Sequence, residues 1–229
     1  MKRVSLAVST ILMALCASAA AEEPWTKASD EGDVTIYTRD KAGTAIKEVK
    51  ATALADAPPA ACMNVVSDLA NFQDTMPYTK ESKIAGRESE RVVYSYQYLK
   101  LPLIDNRDYT LRVVDDTPAP GPSGEPAYYK SSWTPANDRG PKPRAGTVRV
   151  EINTGYWLFE PVDGGSRTRA TYYLFTDPGG MIPALIANRA NTQAIPDLFK
   201  ALRTQAKSER YARPHPVAGP ISQPASKPQ

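Results

Sequence analysis

Histidine and cysteine are nearly missing from this chain of 229 residues, which has one His, His215, and two Cys, Cys16 and Cys62. Metal sites and nucleophilic catalysis built on those side chains need them in clusters. The sequence holds no Cys/His pair, no His-Glu-x-x-His, no Gly-x-Ser-x-Gly and no cofactor motif. Only an acid–base site built from Asp, Glu and Tyr stays open. An excess of charge is lacking too: 28 Lys and Arg face 25 Asp and Glu, which makes no electrostatic case for nucleic acid. Long apolar runs are confined to the first residues, and no internal repeat is visible.

Those first residues read as a targeting segment. Lys2 and Arg3 precede a short apolar stretch from Val4 to Leu15, and Ala17-Ser18-Ala19 supplies a small-x-small cleavage pattern. A membrane span needs roughly 20 apolar residues, and this core is shorter. A signal peptide over residues 1–21 is expected, and with it an exported protein, periplasmic or secreted. Cys16 raises lipidation, but Leu15 stands before it, where such sites want a small side chain. Cleavage removes Lys2 and Arg3, leaving 26 basic against 25 acidic residues, and leaves Cys62 alone. A lone cysteine makes no internal disulfide, so stability must come from a core within residues 22–210. In Ala60-Ala-Cys-Met63 the cysteine reads as a small buried hydrophobe rather than a redox centre.

The rest of the chain is mostly strands. Gly32 to Thr38 alternates, and Ile46 to Leu54 follows, its small and apolar residues facing inward. Pro58-Pro59 opens a helix from Ala60 to Leu69. Strands are then expected over Thr79–Gly86, Arg91–Tyr98, Arg107–Val114, Ala127–Trp133, Thr147–Pro161 and Arg167–Thr176, with Val162-Asp-Gly-Gly-Ser166 as a hairpin turn. Thr176-Asp-Pro-Gly-Gly-Met-Ile-Pro183 ends the last strand and starts a long helix at Pro183. Leu185, Ile186, Ala190, Ile195, Leu198, Phe199 and Leu202 form its apolar stripe, and Pro196 should kink or interrupt it. Beyond Arg210, residues 211–229 are Pro-rich without periodicity and are expected to be a disordered tail. The fold class is α+β: one curved antiparallel sheet wrapped around a terminal helix, with a cavity between them.

In this order, several features resemble the steroidogenic-acute-regulatory-related lipid-transfer (START) domain of the helix-grip superfamily. They are Trp25, Gly32…Ile36-Tyr37, Met76-Pro77-Tyr78, Tyr94-Ser-Tyr96, Lys100-Leu-Pro102, Asn106-Arg-Asp-Tyr109, Gly155-Tyr-Trp157, Glu160-Pro161 and Asp177-Pro-Gly-Gly-Met-Ile-Pro183. The resemblance runs from about Trp25 to Lys207. It implies a deep apolar pocket for one lipid-like or sterol-like ligand, with the C-terminal helix as its lid. It further implies non-covalent binding and transfer, no catalytic residue, no metal and no cofactor. Some helix-grip relatives are cyclases, so a cyclase or hydratase using the same pocket is the alternative. A protein-interaction module with a filled interior is the third reading. The protein is expected to be a monomer, with transient membrane-surface contact open through the basic run Arg139-Gly-Pro-Lys-Pro-Arg144. A solvated loop is the ordinary reading of that run.

An aromatic side chain with a polar handle suits a pocket that holds an apolar ligand and orients one polar group. Tyr94, Tyr96, Tyr109, Trp133, Trp157 and Tyr172 are the candidates from the strands, and Ile186 is the candidate from the lid; for each strand residue plain sheet core is the alternative. Arg107 and Asp108 are neighbours on one strand, so only one can face inward. A buried guanidinium demands a partner. Arg107 is therefore a candidate for a ligand's phosphate, carboxylate or hydroxyl, with a surface ion pair at the strand end as the alternative. Gly179, Gly180 and Pro183 are the expected hinge of the lid.

Overall fold

Along Val49–Ala55 and Asn153–Phe159 every second side chain is buried, and that pleat sets the fold around one sheet. The structure, a computed structural model, describes residues 23–31, 33–101, 105–122 and 124–216. The expected leader (1–21), Gly32, Pro102 and residues 217–229 of the expected tail lie outside the described residues. The strands are β1 (Thr26–Glu31), β2 (Val34–Arg39), β3 (Glu48–Ala55), β4 (Thr79–Ser89), β5 (Val92–Leu99), β6 (Arg107–Asp115), β7 (Tyr129–Pro135), β8 (Val148–Arg149), β9 (Ile152–Val162) and β10 (Arg167–Asp177). The helices are α1 (Pro59–Ser67), α2 (Phe72–Thr75), α3 (Ala184–Gln193) and α4 (Ile195–Ala206). The strands lie in the order β1-β2-β3-β10-β9-β7-β6-β5-β4, all antiparallel, with the short β8 parallel to β6. This curved sheet and its C-terminal helix are the α+β, helix-grip arrangement expected.

Differences from the sequence reading have local causes. β1 is polar and carries no apolar alternation. It is an edge strand held by its pairing with β2, with a bulge between Lys27 and Ser29. The single strand expected over Thr147–Pro161 is divided into β8 and β9. The C-terminal helix is divided as well: α3 ends at Gln193 and α4 begins at Ile195, with Pro196 in its first turn. A proline there lacks the N–H that an uninterrupted helix would need.

Small residues let the helices approach the sheet. Val49, Ala51, Ala53 and Ala55 on β3 and Ala170 on β10 face α4, whose Ile195, Phe199, Leu202 and Ala206 are buried. α1 is buried on nearly every side, from Pro59 through Val66, as expected for a helix enclosed by other elements. Cys62 within it is 0% exposed, and burial pushes its thiol up to about 11. That is the environment of an inert packing residue.

The expected disordered tail needs correction over residues 211–216. Tyr211 is 1% exposed and its hydroxyl donates to Asp68 Oδ2 at 2.7 Å. The Asn64 amide on α1 donates to the carbonyls of Tyr211 and Arg213, and His215 bridges Asn64 Oδ1 and Asp115 Oδ2, each at 2.9 Å. One buried aromatic and one helix asparagine hold this segment, a bond pattern that composition does not reveal.

Candidate ligand cavity

Between the concave face of the sheet and helices α1, α3 and α4 lies a cavity of about 210 Å³. Strand parity decides what lines it. On β6 the odd residues Arg107, Tyr109, Leu111 and Val113 point in. The facing residues on β5, Gln97 and Leu99, stand opposite Tyr109 and Arg107. β7 contributes Ser131 and Trp133, β9 contributes Asn153 and Trp157, and β10 contributes Tyr172, Leu174 and Thr176. Ala190, Asn191, Ala194, Ile195 and Leu198 close it from α3, α4 and the break between them. The wall is predominantly apolar.

Three of the expected aromatics form one packed wall. Trp157 lies 4.6 Å from Tyr172 and 5.2 Å, edge-on, from Phe199, while Trp133 lies 5.8 Å from Tyr172. Gly155 makes room for this wall. A Cβ there would sit 2.4 Å from the Trp133 ring and 2.3 Å from the Tyr173 carbonyl oxygen, so only glycine lets the indole lie across β9. Burial pushes the Tyr109 and Tyr172 hydroxyls well above the usual phenol range, so both stay neutral. The Trp133 indole donates to Asn153 Oδ1 at 2.9 Å, and Tyr109 donates to Gln97 Oε1 at 3.0 Å.

Of the expected site residues, Arg107, Tyr109, Trp133, Trp157 and Tyr172 line the cavity; Tyr94, Tyr96 and Ile186 do not. Tyr94 and Tyr96 are buried on the opposite face of β5, beneath the loop running from β7 to β8. Tyr94 donates to Glu88 and carries the Arg139 guanidinium 4.9 Å over its ring. Tyr96 donates to Asp108, itself held bidentately by Arg149, and burial beside that carboxylate raises its hydroxyl to about 12. Both readings of the basic run also change. Arg139 and Arg144 stack on Tyr94 and Tyr98, and Arg144 pairs with Glu81, so two of its three cations are committed within the fold. Ile186 is 40% exposed on the outer side of α3.

Arg107 is 1% exposed but has no carboxylate among its hydrogen-bond partners. Nε and Nη2 donate to the carbonyl oxygens of Pro178 and Gly179, at 3.2 Å each, and Nη1 donates to that of Asp105. The alternative expected for it, a surface ion pair at the strand end, does not match this. The guanidinium stands at the cavity wall and ties down the loop ahead of α3. Gly179 and Gly180 in that loop have φ of 67° and 77°, a conformation in which glycine alone is unstrained. Pro183 follows as the residue before α3. α3 itself is lightly packed, with Ala187 its sole fully buried residue. Its polar anchors are Asn188, bonded to Lys47 N and Ala45 O, and Asn191, bonded to Thr176 O.

Gln97, Ser131, Asn153 and the polar mouth residues Thr176 and Asn191 were missed by sequence reasoning. The alternation Val93, Ser95, Gln97, Leu99 opposite Arg107, Tyr109 and Leu111 carried the signal, but both faces of β5 look half apolar.

A curved sheet with an apolar chamber beneath a C-terminal helix defines a ligand-chamber class of fold. The START domain profile matches residues 5–210, and the chain belongs to that family. It is similar to an uncharacterized protein of Pseudomonas aeruginosa, 25% identical over 186 residues, covering 81% of this chain and 88% of that one. Among solved structures it is similar to a STAR-related lipid transfer protein from Xanthomonas axonopodis. That match has a TM-score of 0.69 and 24% identity over 80% of this chain and 99% of the other. Human StAR-related lipid transfer protein 5 aligns with a TM-score of 0.66 at 15% identity, over 80% and 86% of the two chains.

Proposed function

We propose that this protein binds one hydrophobic, lipid-like molecule in the chamber and releases it when the α3 segment opens, so that it acts in lipid carriage without covalent chemistry. The carrying observation is the chamber itself, a predominantly apolar space whose polar wall groups are neutral amides and hydroxyls together with one guanidinium bonded to backbone carbonyls. Family membership and the lipid-transfer names of the structural relatives agree with it. Burial of ligand surface at about 25 cal/mol per Å² supplies the affinity. Among the described residues lining the chamber there is no Asp, Glu, His or Cys, so a cyclase or hydratase would lack a carboxylate there to serve as its acid or base. An interaction module with a filled interior does not fit an open chamber. The leader-like first residues support export, and monomeric action with brief contact at a membrane surface completes the proposal.

Native mass spectrometry of the purified domain, followed by solvent extraction, tests this. A stoichiometric hydrophobic molecule lost on denaturation is the expected result. A clean apo mass that stays unchanged with sterols, fatty acids and phospholipids would sink lipid carriage.

A further inference from the structure

Tyr109 Oη donates to Gln97 Oε1 at 3.0 Å in the chamber wall. With its oxygen taken up in this way, the Gln97 amide has two N–H donors that meet no hydrogen-bond partner among the described residues. Gln97 is 6% exposed and lines the chamber. An apolar ligand would leave those donors unmade at a cost, so a ligand that accepts from them completes the site.

Resting on the chamber as the ligand site, we propose that Gln97 is its specificity-determining residue, donating to an acceptor oxygen, such as that of a keto, ester or amide group, on an otherwise apolar ligand. Tyr109, whose proton goes to Gln97 Oε1, keeps the amide nitrogen for the ligand. An ammonium finds donors where it needs acceptors.

The test is displacement of N-phenylnaphthylamine from the full domain by a methyl ketone, an alkane and a primary alkylammonium of equal chain length. The ketone should compete about tenfold better than the alkane, the scale of one hydrogen bond in a dry site. Gln97→Leu, or Gln97→Met if the first does not fold, should abolish that preference and keep the alkane's affinity. Tyr109→Phe removes the bond that orients the Gln97 amide, so it should narrow the gap between ketone and alkylammonium, an effect that lost packing alone would not produce. Equal ketone and alkane affinity in the unaltered protein overturns the assignment and leaves the chamber reading standing. So does a Gln97→Leu variant that weakens both chains alike. If the naphthylamine itself does not bind, the chamber reading fails and this one falls with it.

Discussion

Replacing Arg107 by methionine should loosen the loop ahead of α3 far more than it unfolds the protein. The guanidinium is buried, and burial holds its pKa below the usual arginine value. Two terms oppose each other in global stability. Each hydrogen bond from a charged donor contributes about 1.5–3 kcal/mol, while an apolar replacement relieves a desolvation penalty of several kcal/mol. The net global change should therefore be about 1–2 kcal/mol. Opening of the loop is different, because the closed state alone has the bonds to the Pro178 and Gly179 carbonyls. At 3.2 Å both are long, so together they contribute about 2–3 kcal/mol, or roughly thirty- to 160-fold in the opening equilibrium. Hydrogen exchange followed by mass spectrometry reads this directly. Amides from residue 179 to 187 should exchange faster by that factor in Arg107→Met, with β3 and β9 unchanged. Arg107→Lys, with a single compact donor group, should recover part of the protection. Exchange within threefold of the unaltered protein, in a variant that stays folded, would refute the idea that this side chain latches the loop.

Other substitutions probe packing and pH. Gly155→Ala puts a Cβ against both the Trp133 ring and the Tyr173 carbonyl, and should lower stability by about 1–3 kcal/mol in denaturant titration. Phe199→Ala removes a fully buried ring packed on Trp157, and should cost about 3–5 kcal/mol. Cys62, with its thiol raised to about 11, should resist a thiol reagent in the native protein and react only on unfolding. Burial would raise the Asp115 carboxyl, but hydrogen bonds from His215 and Thr117 outweigh it and hold the pKa below the usual value. Its stabilising contribution is therefore complete above the unfolded carboxylate pKa of about 3.9 and is lost as pH falls through the lower folded value. His215→Ala should lower stability at neutral pH and flatten the acid limb below about pH 4 in thermal melts.

How much could be read in advance depended on the range of the signal. Strand–strand–helix–strands–helix order was legible, because period-two alternation, Pro58-Pro59, the Gly179-Gly180 pair and Pro196 all act within a few residues. The five residues Arg107, Tyr109, Trp133, Trp157 and Tyr172 were legible as cavity candidates for the same reason. Tyr94 and Tyr96 misled because the loop from β7 to β8 covers the outer face of β5 and β6. Aromatics are buried there on the convex side, and burial ceases to mark the chamber. The tail misled in the opposite sense, since Asn64 and Asp115 reach His215 across separations of 151 and 100 residues.

By itself, then, the sequence determined most of the strands and the main helices, where the terminal helix breaks, and that the family's helix-grip arrangement is the outcome. Each of those depends on backbone preferences and on periodicity along a single stretch of chain. Only the tertiary structure decided which face of each strand looks into the chamber, because shifting a strand by one residue exchanges its faces and the covering loop hides the difference. It also bonded the Arg107 guanidinium to the backbone carbonyls of the loop ahead of α3 and brought Gln97 into the chamber wall. Both outcomes depend on hydrogen-bond partners far away in the chain, where donors and acceptors meet only once the sheet has curved and the helices have closed over it.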